Sequence, residues 1–174
     1  FTDLFDGDAG KLDPWALVIL PKAGDFQKWV TAKYGASSAL SLGGTIGGEY
    51  DHASKRLVSR DLGASLRHEY FHVLHWRDMT RRGQMHPVWI MEGLCSLIED
   101  YDLKDGVADP TISWRSNIAK RLERGGRLMP LDKLVSVSQD QFVGQRPLAT
   151  YAQARTVFLY LWREGKLGAW YKAY

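Results

Sequence analysis

Along this 174-residue chain the hydrophobic and polar positions change period several times, and each change predicts an element. Residues 15–20, Trp-Ala-Leu-Val-Ile-Leu, are a short apolar run rich in strand formers and stopped by Pro21, which predicts a buried strand. Phe26, Trp29 and Val30 then repeat at helical spacing, with Asp25 placed to cap that helix and Gly35 to stop it. Residues 39–50 and 56–59 read as strands around a turn at Asp51-His52-Ala53-Ser54, and Gly43, Gly44, Gly47 and Gly48 mark bends or close approach. His52 and Glu49 are expected to be ordinary turn and surface residues.

Beyond residue 60 the period is helical. A helix starts near Asp61 or Ser65, either able to cap it, and ends before Gly83, with Arg77, Arg81 and Arg82 favourable to its C-terminal dipole. Pro87 opens a second helix over 88–99, apolar around most of its circumference and so expected to be buried. Gly93 in its middle implies that another backbone passes close by. Asp105-Gly106 and Asp109-Pro110 mark a loop, and Thr111 is placed to cap a helix carrying Trp114, Ile118 and Leu122. A short element at 130–135, a helix over 151–162 and the start of another at 166–174 complete the pattern. The expectation is one α+β domain over 1–174, with a possibly mobile start (1–13), a sheet part (15–60) and a mainly helical part (61–174).

The chemistry concentrates in the first of these helices, which contains His68-Glu69-Tyr70-Phe71-His72, the pattern HExxH. Two residues four apart on a helix are offset by about 40° around the axis and about 6 Å along it, so both imidazoles address one point, a geometry that suits zinc. Glu69 lies about 100° further round, where a carboxylate can take a proton from a metal-bound water. In a chain with five His, the pattern arises by accident in under about 1% of shuffled sequences, so chance is a poor explanation. The bland alternative is a helix whose histidines merely hydrogen-bond in a core, and it leaves two buried His and a buried Glu to be compensated at several kcal/mol. Glu92, in the middle of the apolar second helix, also needs a counter-charge, which a divalent cation held by two histidines supplies.

Composition narrows the classes. At 45% hydrophobic with seven Trp, the chain is globular. A formal charge of +3 with scattered basic residues implies neither a nucleic-acid partner nor a membrane-binding face. The densest basic group, Arg115, Lys120, Arg121, Arg124 and Arg127, reads as a solvated helix face. No run is long enough to span a bilayer, and the lone Cys95 forms no internal disulfide, so the redox compartment is left open. The chain starts Phe1-Thr2-Asp3 without Met or a signal pattern, so it is expected to be a processed form or excised domain, with an extracytoplasmic location favoured. Asp6-Gly7-Asp8-Ala9-Gly10 is only loosely like a calcium loop, and its spacing does not fit the EF-hand.

Three motifs taken together, His68-Glu69-x-x-His72, Pro87-x-Trp89-x-x-Glu92-Gly93-Leu94 and Tyr151-Ala152-Gln153-Ala154, resemble the gluzincin metallopeptidases. The similarity is closest to the bacterial peptidase MA-like domains and more distant to thermolysin and the zinc aminopeptidases, and it spans about residues 15–170. It implies a zincin-like fold, one Zn2+ held by His68, His72 and Glu92, and Glu69 as general base and proton shuttle toward a peptide or protein substrate. It also implies Tyr151 as a stabiliser of the tetrahedral oxyanion, although a Tyr opening an amphipathic helix is as often core packing. Glu99, two turns after Glu92, is a candidate to orient a ligand histidine. The aminopeptidases bind a free amino terminus with Gly-x-Met-Glu-Asn, and Gly47-Gly48-Glu49-Tyr50 lacks the Met and Asn.

A rival ligand set follows the metzincin pattern, with Asp78 as third ligand and His75 where that pattern has glycine; His75-Trp76 does not supply the sharp turn that the glycine provides. The leading expectation is zinc-dependent peptide hydrolysis. A catalytically inactive zinc-stabilised interaction module, or hydrolysis of a non-peptide amide or ester, are the alternatives. The sequence leaves the oligomeric state open.

Overall fold

The computed structural model describes residues 2–5, 15–37, 39 and 46–174. It is a mixed α+β arrangement, as expected at that level, with eight α-helices and five short strands among the described residues. The chain divides into two compact units, Gly10–Trp76 on one hand and Phe1–Ala9 with Arg77–Tyr174 on the other.

The first unit is a small sheet with a helix on each face. Strands β1 (Ala16–Ile19), β2 (Gly48–Asp51) and β3 (Arg56–Ser59) lie in the order β1-β3-β2, β1 parallel and β2 antiparallel to β3. Successive side chains of a strand point to opposite faces. Val58 therefore joins Phe26 and Val30 of α1 (Ala23–Tyr34) in one apolar cluster, while Gly48 opposite Ser59 belongs to the other face. On that other face runs α2 (Ala64–Arg82), the helix within which the two units divide. Asp61 opens α2: its carboxylate accepts from Gly63 N at 2.7 Å, Ser65 N at 3.2 Å and Ser65 Oγ at 2.5 Å, satisfying donors that a helix start leaves free. Gly83, at φ 65°, ends it, and Gln84 N donates back to Met79 O at 2.9 Å.

Several expectations are corrected in this unit. The run 15–20 does contain a strand, but β1 is an exposed edge rather than a buried one, with Leu17 at 47% and Val18 at 37% exposure. The predicted hairpin is present but shorter. Residues 36, 37 and 39 are helical, Ala39 N donating to Gly35 O at 3.0 Å, so the strand expected from 39 onward does not start there. Residues 40–45, with Gly43 and Gly44, lie outside the described residues, as does the acidic stretch 6–10. In the second unit, residues 2–5 form a 3-10 turn in which Leu4 and Phe5 are buried, Phe5 edge-on to Tyr171.

The second unit is mainly helical. It contains α3 (Val88–Leu97), the hairpin β4 (Tyr101–Lys104) and β5 (Val107–Pro110), then α4 (Trp114–Arg124), α5 (Leu131–Ser136), α6 (Gln139–Gly144), α7 (Pro147–Arg163) and α8 (Leu167–Ala173). The Asp105-Gly106 pair read as a loop is the two-residue turn of that hairpin, both residues having positive φ as a type I′ turn needs. Ser113, not Thr111, caps α4. Helix α7 starts four residues earlier than expected, with proline in its first turn, and α6 was not foreseen.

Helix α7 packs along α3 and α4. Phe158 of α7 is fully buried, stacked on Trp89 at 5.4 Å and edge-on to Trp170 at 5.3 Å. The close neighbour of Gly93 is this ring, not a backbone: a Cβ at residue 93 would lie 2.6 Å from Phe158 and 3.1 Å from the Ala154 Cβ. Arg155, 1% exposed, closes the other end of α3 by donating to Ser96 O at 2.8 Å, Leu97 O at 3.4 Å and Thr111 O at 2.6 Å. The bonds to Ser96 O and Leu97 O engage carbonyls of the last turn, which a helix C-terminus leaves without intrahelical partners.

Gly93→Ala should therefore destabilise the protein by about 1–3 kcal/mol, the usual cost of forcing a methyl group into a filled core. Gly24→Ala, in the first turn of α1 with nothing within 4 Å of the added carbon, should be neutral or slightly stabilising. Urea unfolding of the two variants beside the parent chain measures the contrast.

Candidate metal centre

His68, Glu69 and His72 occupy successive turns of α2 and are each only 8% exposed. The i, i+4 spacing brings the two imidazoles together, their centroids 5.0 Å apart and their planes at 70°. Two ring nitrogens so placed can reach one ion at the roughly 2.0–2.1 Å of a zinc–nitrogen bond, so this pair fits a metal. Phe71 and Val73 are buried between and beside them, and His75 is fully buried with its ring 6.3 Å from that of Phe71.

Strand β2 makes this burial possible. A Cβ on Gly48 would lie 2.5 Å from the Val58 carbonyl and 2.8 Å from Glu69 Cγ, and one on Gly47 would collide with the Ser65 hydroxyl. The strand thus lies flush against the helix at the two positions where no side chain intervenes. The next residue, Glu49, points to the α1 face, where Lys33 Nζ and the Tyr34 hydroxyl both donate to it. It is a paired carboxylate and not the plain surface residue expected. Burial pushes the Tyr34 phenol well above its ordinary value, the bond to Glu49 pushes it further, and the charges of Glu49 and Glu69 add to both. His52 is likewise engaged, its ring stacked on Trp76 at 4.6 Å.

Glu92 and Tyr151 belong to the second unit. On α3 every residue is buried except Met91 and Glu92, which are partly exposed, and the thiol of Cys95, which is in no disulfide, is buried one turn after Glu92. Tyr151, in the second turn of α7, has its ring 4.9 Å from that of Phe142 and 5.2 Å from the Arg115 guanidinium. Arg115 leaves the expected solvated face: its Nε and Nη2 donate to the two oxygens of Glu99 at 2.7 and 2.8 Å. The pair is buried, with side-chain exposures of 12% and 7%. Lys120, Arg121, Arg124 and Arg127 are exposed, as expected.

Sequence reasoning missed the Glu99–Arg115 pair because sixteen residues separate its members and no local period links them. Arg155 carried a usable signal, a lone charge set among Ala152, Ala154 and Phe158 on the buried side of α7.

Asp78, the rival third ligand, has its carboxylate fully occupied. Arg81 Nη2 donates to one oxygen, and Arg82 Nε at 2.9 Å and the Tyr171 hydroxyl at 2.8 Å donate to the other. Those three donors engage the carboxylate that the metzincin-like set would need.

No protein-family model, no curated protein and no solved structure matches this chain.

Burial pushes the Asp78 carboxyl up, but its bonds to Arg81 and Tyr171 and the charge of Arg82 outweigh that, leaving it below the ordinary carboxylate range. A carboxyl lowered by folding stabilises the fold above its unfolded pKa of about 3.9, and that contribution is lost as pH falls through the folded value. The Asp78 contribution should therefore hold from pH 7 to about 5 and decline below about 4. Asp78→Asn should be less stable at neutral pH and show a shallower acid limb in urea midpoints measured across that range.

Proposed function

We propose that this protein is a zinc-dependent metallopeptidase in which His68, His72 and Glu92 hold one ion and Glu69 is the general base. The observation that carries the reading is the burial of His68, Glu69 and His72 on one stretch of α2 with the imidazoles converging. The chemistry of the donors, two neutral imidazoles and a carboxylate, is that of catalytic zinc sites. Bound zinc supplies Lewis acidity, which lowers the pKa of water and polarises a scissile carbonyl.

The residues of the chain do the rest. Glu69 accepts the proton of the attacking water and delivers it to the leaving amine, and its low exposure keeps competing water away. The phenol of Tyr151 donates to the oxyanion as the tetrahedral intermediate forms. Among the described residues β2 pairs with β3 alone, and an extended peptide would bind by adding a strand along its other edge. Hydrolysis of a non-peptide amide or ester would use the same residues and is separated by substrate profiling.

A second donor set favours a different class. A zinc ion held by His68, His72 and the Cys95 thiol, donors of the kind that structural sites use, would make the protein a metal-stabilised interaction module without turnover.

Three substitutions separate the readings. Glu69→Gln should keep zinc at the parent stoichiometry in elemental analysis and lose peptide hydrolysis by about 100-fold or more, the scale of a missing general base. Glu92→Ala should weaken zinc binding by more than about 100-fold in a chelator competition, with Cys95→Ala close to the parent. Turnover surviving in Glu69→Gln would remove the assigned base. The reverse order of Glu92→Ala and Cys95→Ala, with no cleavage of a peptide library, would establish the interaction module.

A further inference from the structure

One large aromatic side chain of the second unit is neither core nor part of the proposed chemistry. Trp114, the first residue of α4, is 49% exposed, and the guanidinium carbon of Arg115 lies 4.4 Å from its ring centroid. The same guanidinium is 5.2 Å from the Tyr151 ring, which puts the two aromatic centroids within about 10 Å of each other. An extended peptide advances about 3.3 Å per residue, so a substrate that runs from Tyr151 toward Trp114 would carry a side chain past it two or three residues from the scissile carbonyl.

The shelf is rigid. Arg115 N donates to Ser113 Oγ and Ser113 N to Ser116 Oγ, both at 3.2 Å, a reciprocal cap that fixes the first turn of α4. Arg155 ties the preceding segment to α7 through Thr111 O at 2.6 Å and reaches Ser116 Oγ at 3.4 Å. A flat ring already held in place loses little rotamer freedom when a ligand covers it, which is the condition for a binding anchor. The shelf is also electrically quiet: both oxygens of Glu99 accept from Arg115, so the guanidinium offers no net attraction to an acidic side chain.

We propose that Trp114, backed by Arg115, is a specificity-determining surface that receives a bulky uncharged side chain, aromatic or long aliphatic, within three residues of the scissile bond. The proposal rests on the metallopeptidase reading and narrows its substrates to peptides carrying such a residue.

The probes are end-blocked, internally quenched peptides identical except for Phe, Ala or Asp at each of the three positions on either side of the cut. On zinc-loaded protein, kcat/KM should favour Phe over Ala by about tenfold at one position, the scale of one apolar contact, with Asp no better than Ala. Trp114→Ala should erase that ratio and Trp114→Phe should keep it; Trp114→Gln is the second removal of the apolar ring if the alanine variant does not fold. The same peptides titrated calorimetrically onto Glu69→Gln read the preference without turnover, and it should again vanish when Trp114→Ala is added. A Trp114-dependent preference in binding with no hydrolysis by the parent would uphold the surface and reject the hydrolase. A Phe preference indifferent to Trp114→Ala, or no preference in either measurement, would overturn the surface while leaving the zinc chemistry to stand on its own tests.

Discussion

Two imidazoles and a carboxylate share five residues of α2 and are almost wholly shielded from water. Removing such groups from solvent costs several kcal/mol unless their lone pairs and charges find partners, and the surrounding unit is arranged so that the shielding is achieved without distorting the helix. Asp61 secures the first turn, so the register of His68 and His72 is set from the cap onward. Gly47 and Gly48 let β2 lie against the helix at the turns of Ser65 and Glu69, and β3 fixes β2 through a four-residue antiparallel register. Sheet and cap together decide where the carboxylate of Glu69 sits, and that position is what any proton transfer by it requires.

The second unit supports Glu92 by different means. Helix α3 is short and almost fully buried, so its orphan carbonyls had to be satisfied by protein rather than water. Arg155 does this from α7, and burial lowers its pKa while the charges of Asp100 and Glu99 oppose that shift. At mid-helix Gly93 admits the ring of Phe158, which locks α3 to α7 across an aromatic stack with Trp89. A helix clamped in its middle and at its end has little freedom to shift, so the backbone position of Glu92 is fixed.

How legible this was in the sequence depended on the range of the interaction. The histidine pair, the cap at Asp61, the stops at Gly35 and Gly83 and the turn after Asp51 are encoded within five residues, and each could be read from local stereochemistry. The burial of β1 could not, because an apolar tetrapeptide reads the same at the centre of a sheet and at its edge, and only pairing with β3 on one side decides it. Asp105-Gly106 was a hairpin signal whose flanking strands, with Leu103 and Val107 exposed, show no alternation to betray them. Arg115 reads as a surface charge in the sequence because its partner lies sixteen residues back and the Tyr151 ring that covers it comes from α7, a relation no window on the sequence contains.

Asp78 shows how partners, rather than position, decide whether a carboxylate is already engaged. Asp78 is six residues after His72 on the same helix, well within reach of a sequence-based ligand pattern. Its place near the C-terminus of α2 surrounds it with Arg81 and Arg82, the cations that a helix end attracts, and α8 adds the Tyr171 hydroxyl. With donors on both oxygens, releasing it to a cation would strip charge-assisted bonds worth more than ordinary ones and leave two guanidinium groups facing the same ion. The arginines that stabilise the end of α2 thus also engage its own carboxylate, so one cluster of charges both ends the helix and buries an acid without leaving it unpaired.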